Sequence, residues 1–276
     1  MKKPSTGEDA LKPGHKLPKP PPPGFTYPAA VRYTPGPWLL PKLFGQFRAS
    51  HFILRVLARY KLTSIASLVK PFYIVNERIV EIPFVIRGVA DDDRCVLDIG
   101  SCWSTVPLEL AHLGFKVWAV DQAPYPLTHP NLTVVQADIC NLSFPSGFFD
   151  VAISLSTLEH VGMGHYKDPL HKDGDLLAIR ELWRVLKPGG KLLLTAPFGK
   201  ASETWQRVYG PVRLERLLSD FAIHTMRYFE KVAEAWLEVS VEEASTIDSP
   251  IMETHGVVLV EARKPCPPSL HRDGPS

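Results

Sequence analysis

Cysteine is scarce in this chain. The four residues, Cys95, Cys102, Cys140 and Cys266, are dispersed with no Cys-x-x-Cys pair, which argues against a disulfide framework and against a closed zinc site. Reduced thiols suit a cytoplasmic protein, and that is the expected compartment. No run of roughly 18 apolar residues is present, so no transmembrane helix is expected. Met1-Lys2-Lys3-Pro4 leads into polar residues rather than a short apolar stretch, so no secretory signal is expected either. Charge of one sign is nearly absent as an excess: 31 Lys+Arg against 29 Asp+Glu leave +2. With 45% hydrophobic and 22% charged residues over 276 positions, a wholly disordered or collagen-like chain is excluded and a substantial core is expected.

The small net charge hides an asymmetry. Residues 1–60 hold 10 Lys+Arg and 2 Asp+Glu, a balance of +8, while the remainder hold 21 and 27, a balance of −6. Eleven of the 27 prolines lie in residues 1–41, including Pro20 to Pro23. Such a segment lacks the donors for helix or sheet and has little to bury, so residues 1–35 are predicted to be an extended, disordered tail, able to make weak contact with a partner or a membrane surface. From Pro41 onward Leu40, Leu43, Phe44 and Phe47, then Phe52, Ile53, Val56, Leu57 and Tyr60, follow helical spacing. A second helix is expected over Tyr73 to Val89, with Pro83 marking a bend or a fresh start. Residues 36–90 are thus expected to form a helical extension over the domain.

From residue 94 short β-branched runs alternate with helical stretches. Strands are predicted at Cys95–Ile99, Lys116–Val120, Leu132–Gln136, Phe149–Ser154, Lys191–Ala196, Ile223–Phe229 and Val257–Glu261, with helices near 104–113 and 174–186. This alternation implies an α/β fold: a doubly wound, mostly parallel sheet of seven strands with one reversed edge strand, covered on both faces. The domain is bounded at 91–264, and residues 265–276 are expected to fray.

The chemistry-bearing segment is Val96-Leu97-Asp98-Ile99-Gly100-Ser101-Cys102-Trp103-Ser104-Thr105. An apolar strand runs into Asp98 and Gly100, and a small-residue turn opens a helix, the place where doubly wound sheets bind ligands. Twenty-one residues after Gly100, Asp121 ends the second strand, placed to accept hydrogen bonds from both ribose hydroxyls. A nicotinamide fingerprint requires glycine at the third and sixth turn positions, where this chain has Cys102 and Thr105. A nucleoside cofactor without a pyrophosphate fits better, and S-adenosylmethionine meets that description.

This segment resembles the first motif of the class I S-adenosylmethionine-dependent methyltransferases, of the type 11-like, Rossmann-like kind. Asp121 resembles the family's ribose-binding acid, and Ala137-Asp138-Ile139 its adenine clamp. Phe148 to Leu155 resembles its fourth strand. Glu181-Leu182-Trp183-Arg184-Val185-Leu186-Lys187-Pro188-Gly189-Gly190 with Lys191 to Thr195 resembles the helix-turn-strand that closes its core. The resemblance covers about residues 94–199 and departs from the family at Ser101-Cys102-Trp103-Ser104, where many members carry further glycines. It implies S-adenosylmethionine as cofactor, with Asp98, Gly100 and Ser101 at the methionine part, Asp121 at the ribose and Asp138 and Ile139 at the adenine. Gln122 and Ser154 complete the candidate set. Asp150 is read as a fold-holding residue and Lys187-Pro188-Gly189-Gly190 as a helix stop and turn.

The long polar loop after the fourth strand, from Ser156 to Asp175, lies where such folds bind substrate. Methyl transfer is an in-line displacement needing position and dryness, and a hydroxyl acceptor benefits from a base, for which His160 is the candidate. His160, His165 and His171 with Asp168, Asp173 and Asp175 match no recognised ligand pattern, so no metal is expected. Asp173-Gly174-Asp175 also reads as a turn and helix N-cap. Arg207 and Tyr209 are candidates to grip an anionic or sugar substrate, or to pack. The expected function is methyl transfer to a small-molecule acceptor, an oxygen of a sugar, glycan precursor or secondary metabolite. The alternative is a catalytically silent scaffold, or a docking protein using its basic N-terminus. The acidic core argues against a nucleic-acid partner.

Overall fold

The apolar runs that begin at Cys95 are too short and too β-branched for helix, and they assemble one sheet. A computed structural model describes residues 75–267 apart from 91, 102, 103, 167, 234, 251 and 252. The expected tail, the helix over Leu40 to Tyr60, Cys102, Trp103 and the C-terminal end from residue 268 lie outside the described residues. The elements are α1 (Arg78–Gly88), β1 (Cys95–Ile99), α2 (Val106–His112), β2 (Lys116–Asp121), β3 (Leu132–Gln136), β4 (Phe149–Leu155), a 3₁₀ turn (Leu158–His160), α3 (Gly174–Val185) and β5 (Leu186–Pro197). They continue with β6 (Ser202–Glu203), β7 (Arg207–Val208), α4 (Pro211–Leu217), β8 (Ala222–Val232), β9 (Ala235–Val239), α5 (Val241–Ala244) and β10 (Gly256–Arg263).

Eight strands form the main sheet in the order β3-β2-β1-β4-β5-β10-β8-β9, and β6 with β7 makes a separate ribbon. The strands β1 to β5 are mutually parallel. All seven expected strands are present, and β9 is the eighth. Two strands are reversed rather than one: β9, at the edge, folds back on β8, and β10 runs antiparallel between β5 and β8 in the sheet interior. Residues 230–239 escape a strand reading because Ala, Glu and Lys are helix formers and no Asn-Gly or Asp-Gly turn separates β8 from β9.

Both sheet faces are covered. On one, Val85 and Val89 at α1 and Val106, Leu110 and Ala111 of α2 pack on Val96, Val151, Ile153 and Leu193. On the other, Ala178, Ile179, Leu182 and Val185 of α3 with Leu214 and Leu217 of α4 cover Leu97, Ile99, Ala152 and Leu192. Pro83 neither stops nor restarts α1, which runs through it. The helix tolerates the missing N–H because Val80 and Val85 anchor it on both sides of the proline. Asp150 holds the fold as expected: its Oδ2 accepts from Arg94 and Cys95 N–H groups at 3.1 and 2.9 Å, and its Oδ1 from Lys187 Nζ at 2.6 Å. No helix among the described residues is long and apolar enough to cross a membrane.

Candidate active site

Where β1 ends, the chain turns through Gly100 with φ +69°, a conformation that L side chains rarely adopt. Space enforces the same choice, since a Cβ at Gly100 would collide with the Thr157 side chain. The Gly100 N–H donates to the Val120 carbonyl at 2.8 Å. The Thr157 hydroxyl lies 3.1 Å from the Ile99 carbonyl and 3.2 Å from that of Leu155. The first turn is thereby tied to β2 on one side and to the end of β4 on the other.

The parallel register collects the candidate residues at one end of the sheet. Asp98 lies beside Ala119, Ile99 beside Ser154, and Asp121 beside Gln136. Asp121 Oδ1 accepts from the Ala123 N–H at 2.8 Å, and the Gln122 carbonyl accepts from Gln136 Nε2 at 2.7 Å. Asp138 is exposed, with Oδ1 on the Cys140 N–H at 2.8 Å. Ile139 is packed into the main core, so its side chain is a floor of this end rather than a free wall. Ser154 pairs with Ile99, and strand alternation therefore puts its side chain on the opposite face from Asp98.

Burial sets the electrostatics. Asp98 and Glu159 are each 1% exposed, and Asp98 Oδ2 and Glu159 Oε2 have no hydrogen-bond partner. Burial raises the Asp98 carboxyl to about 8, with the Arg78 guanidinium opposing and the Asp121 charge assisting. Burial raises Glu159 to about 8 as well, and pushes Glu81 of α1 upward. The buried hydroxyls of Ser101 and Ser154 are likewise unpartnered.

Sequence reasoning passed over Arg78, Glu81 and Glu159. Arg78 Nη1 sits 2.8 Å from Glu81 Oε2, and its charge reaches Asp98, Glu159 and His160. The signal for Glu81 was an acid embedded in the apolar run Ile79-Val80-Glu81-Ile82. For Glu159 it was adjacency to His160.

His160 closes the 3₁₀ turn. Burial first, then the charges of Arg78 and His165, hold its ring at about 4, so it is a neutral imidazole at neutral pH. Its Nδ1 is buried without a partner, and Nε2 is 4.0 Å from Glu159 Oε1. Three other rings gather around it: Tyr166 at 5.3 Å and Trp205 at 6.5 Å between centroids, with His165 at 4.3 Å from Trp205. The β4–α3 and β5–α4 loops thus meet in an aromatic cluster.

Arg207 and Tyr209 do not grip a substrate. Arg207 is buried, donating to the carbonyls of Val161 at 2.5 Å, His171 at 3.2 Å and Lys172 at 3.3 Å. The Tyr209 hydroxyl donates to Asp175 Oδ2 at 3.0 Å. Asp173 occupies the N-cap position of α3 without a side-chain capping bond, facing Arg216 instead, and Asp175 is spent on Tyr209 and Arg213.

The residues present fit S-adenosylmethionine. A left-handed glycine turn ends β1 at the ligand-binding end of the sheet, an unpartnered buried carboxylate oxygen suits an ammonium donor, and a half-buried acid at the end of β2 suits a ribose diol. A family model described as a Caenorhabditis protein of unknown function, DUF268, matches residues 139–261. A ubiquinone biosynthesis O-methyltransferase of Xanthomonas oryzae pv. oryzae is 30% identical over 191 residues, covering 64% of this chain and 74% of that relative. Sterol 4-C-methyltransferase strm-1 of Caenorhabditis elegans is 28% identical over 176 residues, 58% of this chain and 47% of that relative. Among solved structures, Burkholderia thailandensis 1,6-didemethyltoxoflavin-N1-methyltransferase, with bound 1,6-didemethyltoxoflavin and S-adenosylhomocysteine, aligns with a TM-score of 0.51 at 16% identity, over 80% of this chain and 92% of that one.

Proposed function

The chain belongs to the class I S-adenosylmethionine-dependent methyltransferases and is an enzyme of that type; from that premise we propose that it methylates a hydroxyl oxygen on a ring-bearing small molecule. When bound, S-adenosylmethionine supplies an electrophilic methyl group on a sulfonium. The observation that carries the reading is the neutral, partly buried His160 imidazole, its Nδ1 without a partner, beside the Glu159 carboxyl with its unpartnered Oε2, on the loop that follows β4.

On this reading Asp98 accepts from the cofactor's ammonium group, and Asp121, with Gln122 beside it, meets the ribose. Ser101 and the Gly100 backbone line the turn, Asp138 accepts from the adenine amine, and Ser154 stands below it on the far sheet face. Arg78 offers its guanidinium to the cofactor carboxylate, a pairing that a fork of donors favours. His160 takes the acceptor proton as the oxygen attacks. Its depressed basicity limits it as a resting base, and it keeps the ring free to accept at neutral pH. Tyr166 and Trp205 present ring faces to a flat or saturated ring. A sugar or secondary metabolite meets that description, as does the kind of acceptor implied by a relative named for ubiquinone biosynthesis O-methylation.

Calorimetric titration with S-adenosylmethionine, on the unaltered chain and on Asp121→Ala, tests the cofactor half of the reading. Micromolar binding that is lost in the variant is expected; binding retained in the variant removes Asp121 from the site. A panel of hydroxylated sugars and phenols with labelled cofactor then tests the acceptor. Transfer to nitrogen or carbon acceptors alone overturns the oxygen assignment.

A further inference from the structure

One residue at this end of the sheet is held against its intrinsic preference. Ser156, the first residue after β4, has φ +44° without being glycine, and such a conformation persists only where its surroundings over-determine it. Its N–H donates toward Thr195, with Oγ1 at 3.0 Å and the carbonyl at 3.1 Å. Its hydroxyl donates to Glu81 Oε1 at 2.6 Å, across 75 residues of chain. Glu81 is fully buried on α1, and its other oxygen faces Arg78.

What hangs from this corner is the candidate site. The next residue, Thr157, fills the space against Gly100 and bonds the Ile99 carbonyl. Glu159 and His160 follow in the 3₁₀ turn. Glu81 therefore reaches the first turn through Ser156 and Thr157 without lying in it.

We infer that Glu81 is a positioning residue: from the N-terminal helix it clamps the left-handed Ser156 corner, and so sets the Gly100 turn and the Glu159-His160 segment for the cofactor and acceptor. The inference rests on the methyltransferase reading of the site, and it adds a dependence of that site on α1. A clamp of this kind makes a distinctive demand at residue 156. Alanine there loses the hydroxyl and keeps the penalty for positive φ. Glycine loses the hydroxyl and carries no penalty.

The test uses the full chain, with S-adenosylhomocysteine titrated calorimetrically and amide hydrogen exchange followed at residues 157–160 without ligand. Ser156→Ala and Glu81→Ala are each expected to bind about tenfold more weakly, with faster exchange at 157–160. Ser156→Gly is expected to recover most of that loss, and amide exchange at 157–160 is expected to stay unchanged when Glu81→Ala is added to Ser156→Gly. Glu81→Gln, which keeps an acceptor for the hydroxyl, is expected to stay near the unaltered chain. Ser156→Gly as weak as Ser156→Ala overturns the inference, as does unchanged exchange in both alanine variants. Should the unaltered chain bind no cofactor, the methyltransferase reading fails, while the exchange rates still decide the clamp. If Glu81→Ala does not fold, the Ser156 pair carries the test alone.

Discussion

Two sets of buried acids divide this protein by how they are satisfied. At the α3 side, Asp175 accepts from Tyr209 and twice from Arg213, at 2.7–3.0 Å. On β4, despite partial burial, the hydrogen bonds from Lys187, Cys95 and Arg94 hold the Asp150 carboxyl below its ordinary range. At the carboxyl end of the sheet, Asp98 and Glu159 each keep an unpartnered oxygen, and burial raises both to about 8. Acids that hold a fold together are fully bonded. Acids left short of partners are available to a ligand, and they hold the stability cost that a ligand relieves.

Asp175→Ala breaks the satisfied set most severely. It strands the Tyr209 hydroxyl in the core and uncouples Arg213, and it is expected to cost about 3 kcal/mol, the low end for a broken buried pair because Arg213 is partly exposed. Denaturant unfolding with an unchanged slope checks this, and a loss below 1 kcal/mol would erase the distinction between the two sets.

Asp98→Asn is expected to act in the opposite sense on stability. At pH 8 the ligand-free chain gains stability, because a buried carboxylate is replaced by a neutral amide, while S-adenosylmethionine affinity drops at least tenfold, the scale of a hydrogen bond to a charged group. Paired thermal melts with and without cofactor report both effects.

The raised acids also predict a pH slope. Asp98 and Glu159 stay protonated in the folded chain up to about pH 8, against 3.8 and 4.5 for the freely solvated groups, so their contribution is fully present below those values and lost toward pH 8. His160 works the other way, with 6.5 lowered to about 4; its contribution is complete above 6.5 and lost as pH falls. Between pH 6.5 and 8 these two acids therefore act without it, and melting temperature is expected to fall. Glu159→Gln is expected to flatten that fall, and an unchanged slope would place the proton elsewhere.

The smallest effect is expected at Asp150→Asn. Lys187 is 42% exposed on its side chain, so the ion pair counts for little, and the two backbone N–H bonds can be kept by the amide oxygen. A loss of about 1 kcal/mol is expected.

Much of this was legible in the sequence for a physical reason. Strands β1 to β5 are buried on both faces and read as continuous apolar runs, and the Asp98-Gly100 turn with Asp121 at the next strand end is a local pattern of fixed spacing. The cofactor and the enzyme class followed from that pattern and its resemblance. The β9 hairpin was hidden by helix-forming residues. Arg207 and Tyr209 read equally as substrate ligands or as packing residues, because sequence does not show whether such a side chain meets solvent or, as Arg207 does, three buried carbonyls. Glu81 lay within the expected helix over Tyr73 to Val89 with no role assigned to it.

Sequence alone determined the doubly wound sheet, its order of chemistry and its nucleoside cofactor, because these depend on periodicity and on spacing within a few tens of residues. Tertiary structure decided which acids are satisfied, that His160 is held neutral, and that Ser156 is clamped from α1 across 75 residues. Those properties depend on desolvation and on partners far apart in the chain, and neither is a property of a residue or its neighbours in sequence.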